Sequence, residues 1–335
     1  MGVWELELKE AISERLVLID EFLSAAEIPV PRRITQAAFM FVQGWIIEIE
    51  GDDKTDFALK PWFAVIYHHV KEWYREHYGP ATEGGGSSIA SGVVLVRGMP
   101  VEVKVPLTRS TVETPGETAW LHFPVTIDEG EDPEDWLVEP PPLDKLDLRQ
   151  RRKLAKKLEE IGTGLRCIRT NLMGIKPSDD TVNGLLKGIL PEFESAAANI
   201  LRQEASGRGA ALWSLQMAME KILKAFAQHK TGTFRHSHDL FVLYDDVKDH
   251  GISAKRTLLN KMPREPQIMS DRYGLDGTPS ITEVMDAYDA ALAFAGQASR
   301  SFGRDFSIGG ARFLLQKPAW TELPPATGKT EGPAT

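Results

Sequence analysis

Hydrophobic spacing divides the chain into a helical start, a short stretch of strands and a long helical remainder. From Leu6 to Ala26 the residues Leu8, Ile12, Leu16, Ile19, Phe22 and Leu23 recur at helical spacing with charges between them, which predicts an amphipathic helix. Thr35 to Ile49 and Asp56 to Tyr78 predict two more helices, richer in aromatics, with Trp45, Trp62, Phe63, Tyr67 and Trp73 as core anchors. Pro31 and Pro61 fit first-turn positions, where a missing N–H costs no intrahelical bond. The period then falls to two. Val101, Val103, Val105 and Leu107 alternate with Glu102, Lys104 and Pro106, and Leu121, Phe123, Val125 and Ile127 alternate with His122, Pro124 and Thr126. With Val93 to Val96 these predict a small antiparallel sheet of about three strands. Pro106 and Pro124 mark their strands as edge or irregular ones, since proline cannot donate to a ladder.

Pro140, Pro141 and Pro142 mark a boundary, because proline disfavours both helix continuation and sheet interior. Beyond it the pattern is helical nearly to the end. Leu146 to Ile161, Leu165 to Met173 and Val182 to Glu204 come first. A long helix follows, with Leu212, Leu215, Met219, Ile222 and Phe226 on one face, Gln216, Glu220, Lys221, Lys224 and Gln228 off it, and Gly232 as its stop. Another opens at Ser237-His238-Asp239-Leu240, with Ser237 as N-cap, and the last at Ser280, where Glu283 completes a capping box. The predicted fold class is α+β, mostly α. Its parts are 1–142, helices plus the small sheet; 143–186, charged connecting helices; 187–317, a helical bundle; and 318–335, a Pro-, Thr- and Gly-rich tail without structure.

Charge refines this division. The formal net charge is −9, and the segment from Glu113 to Glu139 holds nine acidic residues and no Lys or Arg. Lys187 to Asp305 carries fifteen basic and fifteen acidic residues, so global acidity does not bar a polyanion from a local basic patch there. A single cysteine, Cys167, excludes an internal disulfide framework and a cysteine zinc cluster, which suits a reducing cytoplasm. No run reaches the roughly 18 apolar residues of a membrane helix, and no basic-then-apolar leader opens the chain.

Three elements of the bundle carry a resemblance: Ala218-Met-Glu220-Lys221-Ile-Leu-Lys224-Ala225 on the long helix, Ser237-His238-Asp239-Leu240 at the start of the next, and Arg272-Tyr273 before the capped final helix. Over residues about 187–305 the chain resembles the HEPN family of nucleic-acid-associated helical bundles. The resemblance implies a bacterial, cytoplasmic protein of a toxin–antitoxin, defence or stress system, acting as a homodimer. Many HEPN proteins are ribonucleases that use an Arg followed four to six residues later by a His. None of the eight histidines here has that Arg. The implied function is therefore binding of a nucleotide or RNA without catalysis, and neither a catalytic residue nor a cofactor is assigned.

The candidate ligand-binding patch is Lys221, Lys224, Arg235, His236, His238 and Arg272, whose cationic side chains suit phosphate. A metal reading of His236, His238 and Asp239, with Asp245, Asp246, Asp249 and His250 one helix away, is disfavoured because helical neighbours diverge, and no metal site is assigned. His68 and Glu72, four apart, read as a surface or core pair. Gly84-Gly85-Gly86-Ser87-Ser88 lacks the Lys and Ser/Thr of a phosphate loop and reads as a linker. The seven basic residues from Lys145 to Lys157 read as the solvated face of a helix. Two alternatives remain: a scaffold that docks a basic protein partner on Glu113 to Glu139, and a ribonuclease with an unorthodox residue set.

Overall fold

The computed structural model describes residues 3–82, 89–115, 117–175, 180–263 and 279–316, with side chains from residue 9. The protein is mostly helical with small antiparallel sheets, the class expected from the sequence. The chain forms two compact units, residues 1–87 with 112–119 and 314–335, and residues 88–111 with 120–313. The sequence placed its boundary at 142. The contacts place it at the glycine-rich run instead, because the hairpin that follows the run packs on the later helices.

The first unit holds α1 (Val3–Ala25), α2 (Val30–Gly44) and α3 (Pro61–Tyr78). Pro31 and Pro61 occupy first-turn positions as expected. Ile12, Leu16 and Ile19 of α1 meet Ala37, Phe41 and Val42 of α2 and Phe63, Val70 and Trp73 of α3 in one core. Two expected core residues lie outside it. Trp45 follows the last turn of α2 and Phe22 flanks the α1 stripe, and both are exposed. A polar network joins the three helices. Arg33 donates to Asp20 (3.1 Å) and to the Ile28 carbonyl (2.6 Å), and Tyr78 donates to the other Asp20 oxygen.

In the second unit β1 (Ile89–Val96) and β2 (Met99–Pro106) form an antiparallel hairpin. The expected third strand is absent from it. Thr118–His122 (β4) pairs instead with β3 (Arg109–Thr114) and β5 (Arg312–Gln316), in the order β3-β4-β5, and Pro124 ends the pairing of β4 early. Strand β5 was not anticipated; its residues are exposed throughout and carry no alternation.

The two helices expected between 146 and 173 are one, α4 (Leu148–Leu172), opened by a capping box between Asp147 and Gln150. Gly162 and Gly164 do not break it; they let neighbours approach. A Cβ on Gly162 would sit 2.5 Å from the Trp136 ring, and one on Gly164 2.6 Å from Leu292. Trp136 is itself buried and stacked under the Arg166 guanidinium, so it cannot yield freely. Gly162→Ala is expected to destabilise by a net of about 1 kcal/mol, overpacking outweighing the gain in helix propensity. A lower urea midpoint checks this.

Val182 to Glu204 divides into α5 (Asp180–Lys187) and α6 (Ile189–Leu201), hinged at Gly188. Next come α7 (Ala205–Thr231), α8 (Leu240–Val247) and α9 (Ile281–Ala298), the last capped by Ser280 and Glu283 as predicted. Helix α7 is the axis of this unit, packed by α5, α6, α8 and α9, while β1 rests on α4 and α6. Gly92 of β1 allows that seat, since a Cβ there would lie 2.8 Å from Ile161 and 3.1 Å from the Tyr288 hydroxyl. Fully buried Arg166 binds α4 to the acidic segment. It donates to the carbonyls of Pro106 (2.9 Å) and Thr126 (2.7 Å) and twice to Glu131 (2.9 and 2.5 Å). No described helix is long and apolar enough to cross a membrane.

Candidate nucleotide and nucleic-acid interface at the end of helix α7

Gln216, Glu220 and Lys224 stand in one row of α7, four residues apart. The sequence placed them off the buried face, yet they are only 2%, 7% and 9% exposed. The cause is the loop between α7 and α8, which folds back over the row. Gly232, in the left-handed region at φ 75°, ends α7 and starts the return. The loop then runs into Asp239, the N-cap of α8, whose carboxylate accepts from the N–H groups of Phe241 and Val242. Ser237, the expected cap, stands two residues earlier and accepts from the Asp239 N–H at 3.1 Å.

Glu220 is the centre of the corner. One oxygen accepts from Lys224 Nζ at 2.6 Å and the other from His238 Nδ1 at 2.9 Å. Gln216 Nε2 donates to the His238 carbonyl at 2.5 Å, and its Oε1 is buried with no partner among the described residues. A carboxylate at Nδ1 fixes the proton there and leaves Nε2 as the outer nitrogen of a side chain that is 58% exposed. Phe234 lies 5.6 Å beneath Lys224 Nζ and meets the His236 ring edge-on at 5.3 Å. Arg235 donates through Nε and Nη2 to both oxygens of Asp246, each at 2.9 Å. A surface pocket of about 310 Å³ opens beside them, lined by Thr231, Thr233, Phe234, Arg235, Leu243 and Asp246 among others. Burial, aided by the charge of Lys230, holds the nearby His229 below the usual histidine range.

The expected patch is thus brought together only in part. Lys224 and His238 share Glu220, while Arg235 and His236 sit on the covering loop. Lys221 turns away to α6, where Glu192 holds it at 2.6 Å. Arg272 lies outside the described residues. Each of the described lysines and the arginine in the set faces a carboxylate, so the corner is charge-matched rather than an open basic groove. Gln216 and Phe234 were not anticipated. Gln216 was legible as the residue four before Glu220, whereas Phe234 lies in a loop with no period to read.

The other candidates settle more simply. Among the described residues no three His, Cys, Asp or Glu side chains converge as a metal site would require. His68 and Glu72 form the expected pair, at 3.3 Å. Cys167 is buried in α4, with Arg300 Nη2 3.5 Å from its sulfur. Within the acidic segment, Glu131 is bound by Arg166, and Asp128 by Arg109 (3.5 Å) and His122 (2.6 Å). Both carboxylates are already paired within the fold. The Gly84 to Ser88 run lies outside the described residues. Set against family models, curated proteins and solved structures, the chain matches none.

Proposed function

We propose that this is a HEPN-like protein that binds a nucleotide or a short stretch of RNA, without cleaving it, at the corner where α7 gives way to α8. The observation that carries the reading is the sequence of side chains on the covering loop. Phe234, Arg235 and His236 follow one another beside the pocket, with His238 exposed two residues on. Aromatic rings stack on bases, and a guanidinium and imidazoles bind phosphate oxygens. A phosphate would compete with Asp246 for Arg235, a side chain that is 60% exposed and able to turn outward. Lys224, tied to Glu220, instead keeps the loop in place.

The double variant Arg235→Ala, His236→Ala is expected to weaken binding of a fluorescent nucleoside triphosphate or of mixed RNA at least tenfold, about 1.4 kcal/mol. The melting curve should hardly change, because both side chains are exposed. Unchanged affinity for both ligands overturns the reading. The His238 and Glu220 pair favours a second one, ribonuclease action, because an exposed imidazole oriented by a buried carboxylate is suited to general acid–base work. RNA shortened by the parent protein in the presence of a chelator, and left intact by His238→Ala, would establish that activity and displace the binding-only proposal.

A further inference from the structure

The basic run at the start of α4 lines a second, separate depression. A cavity of about 280 Å³ opens between the tip of the β1–β2 hairpin and α4. Val96 and Leu154, both buried, belong to its floor, and Arg97, Gln150, Lys153 and Lys157 stand around it. Among the described residues no carboxylate lines it. Lys157 has its charge matched by Asp289 (2.7 Å) and Glu160 (2.8 Å). Arg97 reaches only the Lys145 carbonyl, at 3.5 Å, and Lys153 has no hydrogen bond or ion pair among the described residues.

Two further features point outward from the cavity. Arg97 and Gly98 form the two-residue turn of the hairpin, both at positive φ, 54° and 83°. Asn or Asp fits the first of these positions more readily than arginine. The second is charge along the helix. Arg149, Arg152, Lys153 and Lys156 are exposed and share one face, spanning about 10 Å of helix axis. Among the described residues Arg149 and Arg152 have no carboxylate partner, and Lys156 is only 3.8 Å from Glu160. From Lys145 to Lys157 seven basic residues face one acid, Asp147, which is spent on capping α4.

We propose that this groove binds single-stranded nucleic acid, with a base seated on the apolar floor and successive phosphates along Arg97, Lys153, Arg149 and Arg152. An inorganic phosphate would use one or two of these cations and leave the floor empty. A membrane surface would meet a concave cavity where it needs a protruding apolar face. The site is independent of the α7–α8 corner and does not require that reading.

The test uses the full-length protein and a labelled oligouridylate of about 12 nucleotides, within the usual span of single-strand sites. Arg97→Ala with Lys153→Ala is expected to lower affinity about tenfold or more. It should also reduce the dependence of log affinity on log salt by about 1.4, two phosphate contacts at ~0.7 each. Lys153→Arg should keep the affinity, and the same drop in slope should be found when the comparison is made with Arg235→Ala and His236→Ala already in place, which separates the two sites. Unchanged affinity and slope in Arg97→Ala with Lys153→Ala overturn the proposal. So does equal competition by free phosphate at the same phosphate concentration, or loss of binding only to anionic phosphatidylserine vesicles.

Discussion

Replacing Arg166 by Met is expected to cost the second unit about 3–5 kcal/mol, the penalty for leaving a buried carboxylate without its partner. Methionine fills much of the space under Trp136 but donates nothing. Glu131, whose side chain is 6% exposed, would lose both guanidinium bonds, and the carbonyls of Pro106 and Thr126 would lose theirs. Urea unfolding followed by far-UV circular dichroism measures the loss. Adding Glu131→Gln should recover part of it by removing the orphaned charge, and a double-mutant cycle isolates the coupling. The pH dependence gives a second readout. Burial pushes the Glu131 carboxyl up, but the Arg166 hydrogen bonds, the Asp128 N–H and the charges of Arg166 and Arg109 outweigh it, so the group titrates below its usual range. A lowered carboxyl contributes stability that is present above its unfolded value, about 4.3, and lost as pH falls through the folded value. That acid-side loss should be visible in the parent and largely absent from Arg166→Met. A change under about 1 kcal/mol would mean that Glu131 finds another partner or water.

Asp20→Ala is expected to have a comparable effect on the first unit, about 3–4 kcal/mol, since Arg33 is nearly buried and would keep its charge without a counterion. The consequence is greater here because the unit is small. Its core comes from three helices, and single domains are held by roughly 5–15 kcal/mol in total. Separate loss of α1–α3 on warming, seen as early protease cleavage within residues 1–87, is the outcome to look for. Asp20→Asn, which keeps an acceptor for Tyr78, should fall between. Tyr78 adds an alkaline signature. Its bond to Asp20, then burial, raise its phenol above the ordinary range. A raised phenol contributes stability present below its unfolded value, near 10, and lost as pH rises through the folded value. The variant should be less sensitive to alkali than the parent.

Periodicity made most of the helices legible, because an apolar stripe on a helix is written into neighbouring residues. The α1 stripe from Ile12 to Leu23 and the capping box of Ser280 and Glu283 are local signals, and the structure uses both. What could not be read depends on partners distant in sequence. The glycines of α4 look like breaks until Trp136 and Leu292 are placed against them. Lys224 looks like a solvated lysine until a loop ending fifteen residues later covers it. Charge alone could not show that Arg235 and Lys221 already have carboxylates, since Asp246 and Glu192 come from other helices. The same blindness worked in the opposite direction at α4. Its basic face read as ordinary solvated charge, because the hairpin that makes it one wall of a cavity lies some fifty residues earlier.

The seat of the hairpin has a consequence for the birth of the protein. Gly92 is among the first residues of its unit to leave the ribosome, and Ile161 of α4, against which it sits, follows some seventy residues later. While α4 to α6 are still being made, β1 and β2 have no seat, and a two-stranded ribbon alone is marginal in water. Growing chains should therefore hold this ribbon open, exposed to holdases, until synthesis passes Leu201. Arrested chains that stop before α4 should be digested at the hairpin, and those that extend past α6 protected.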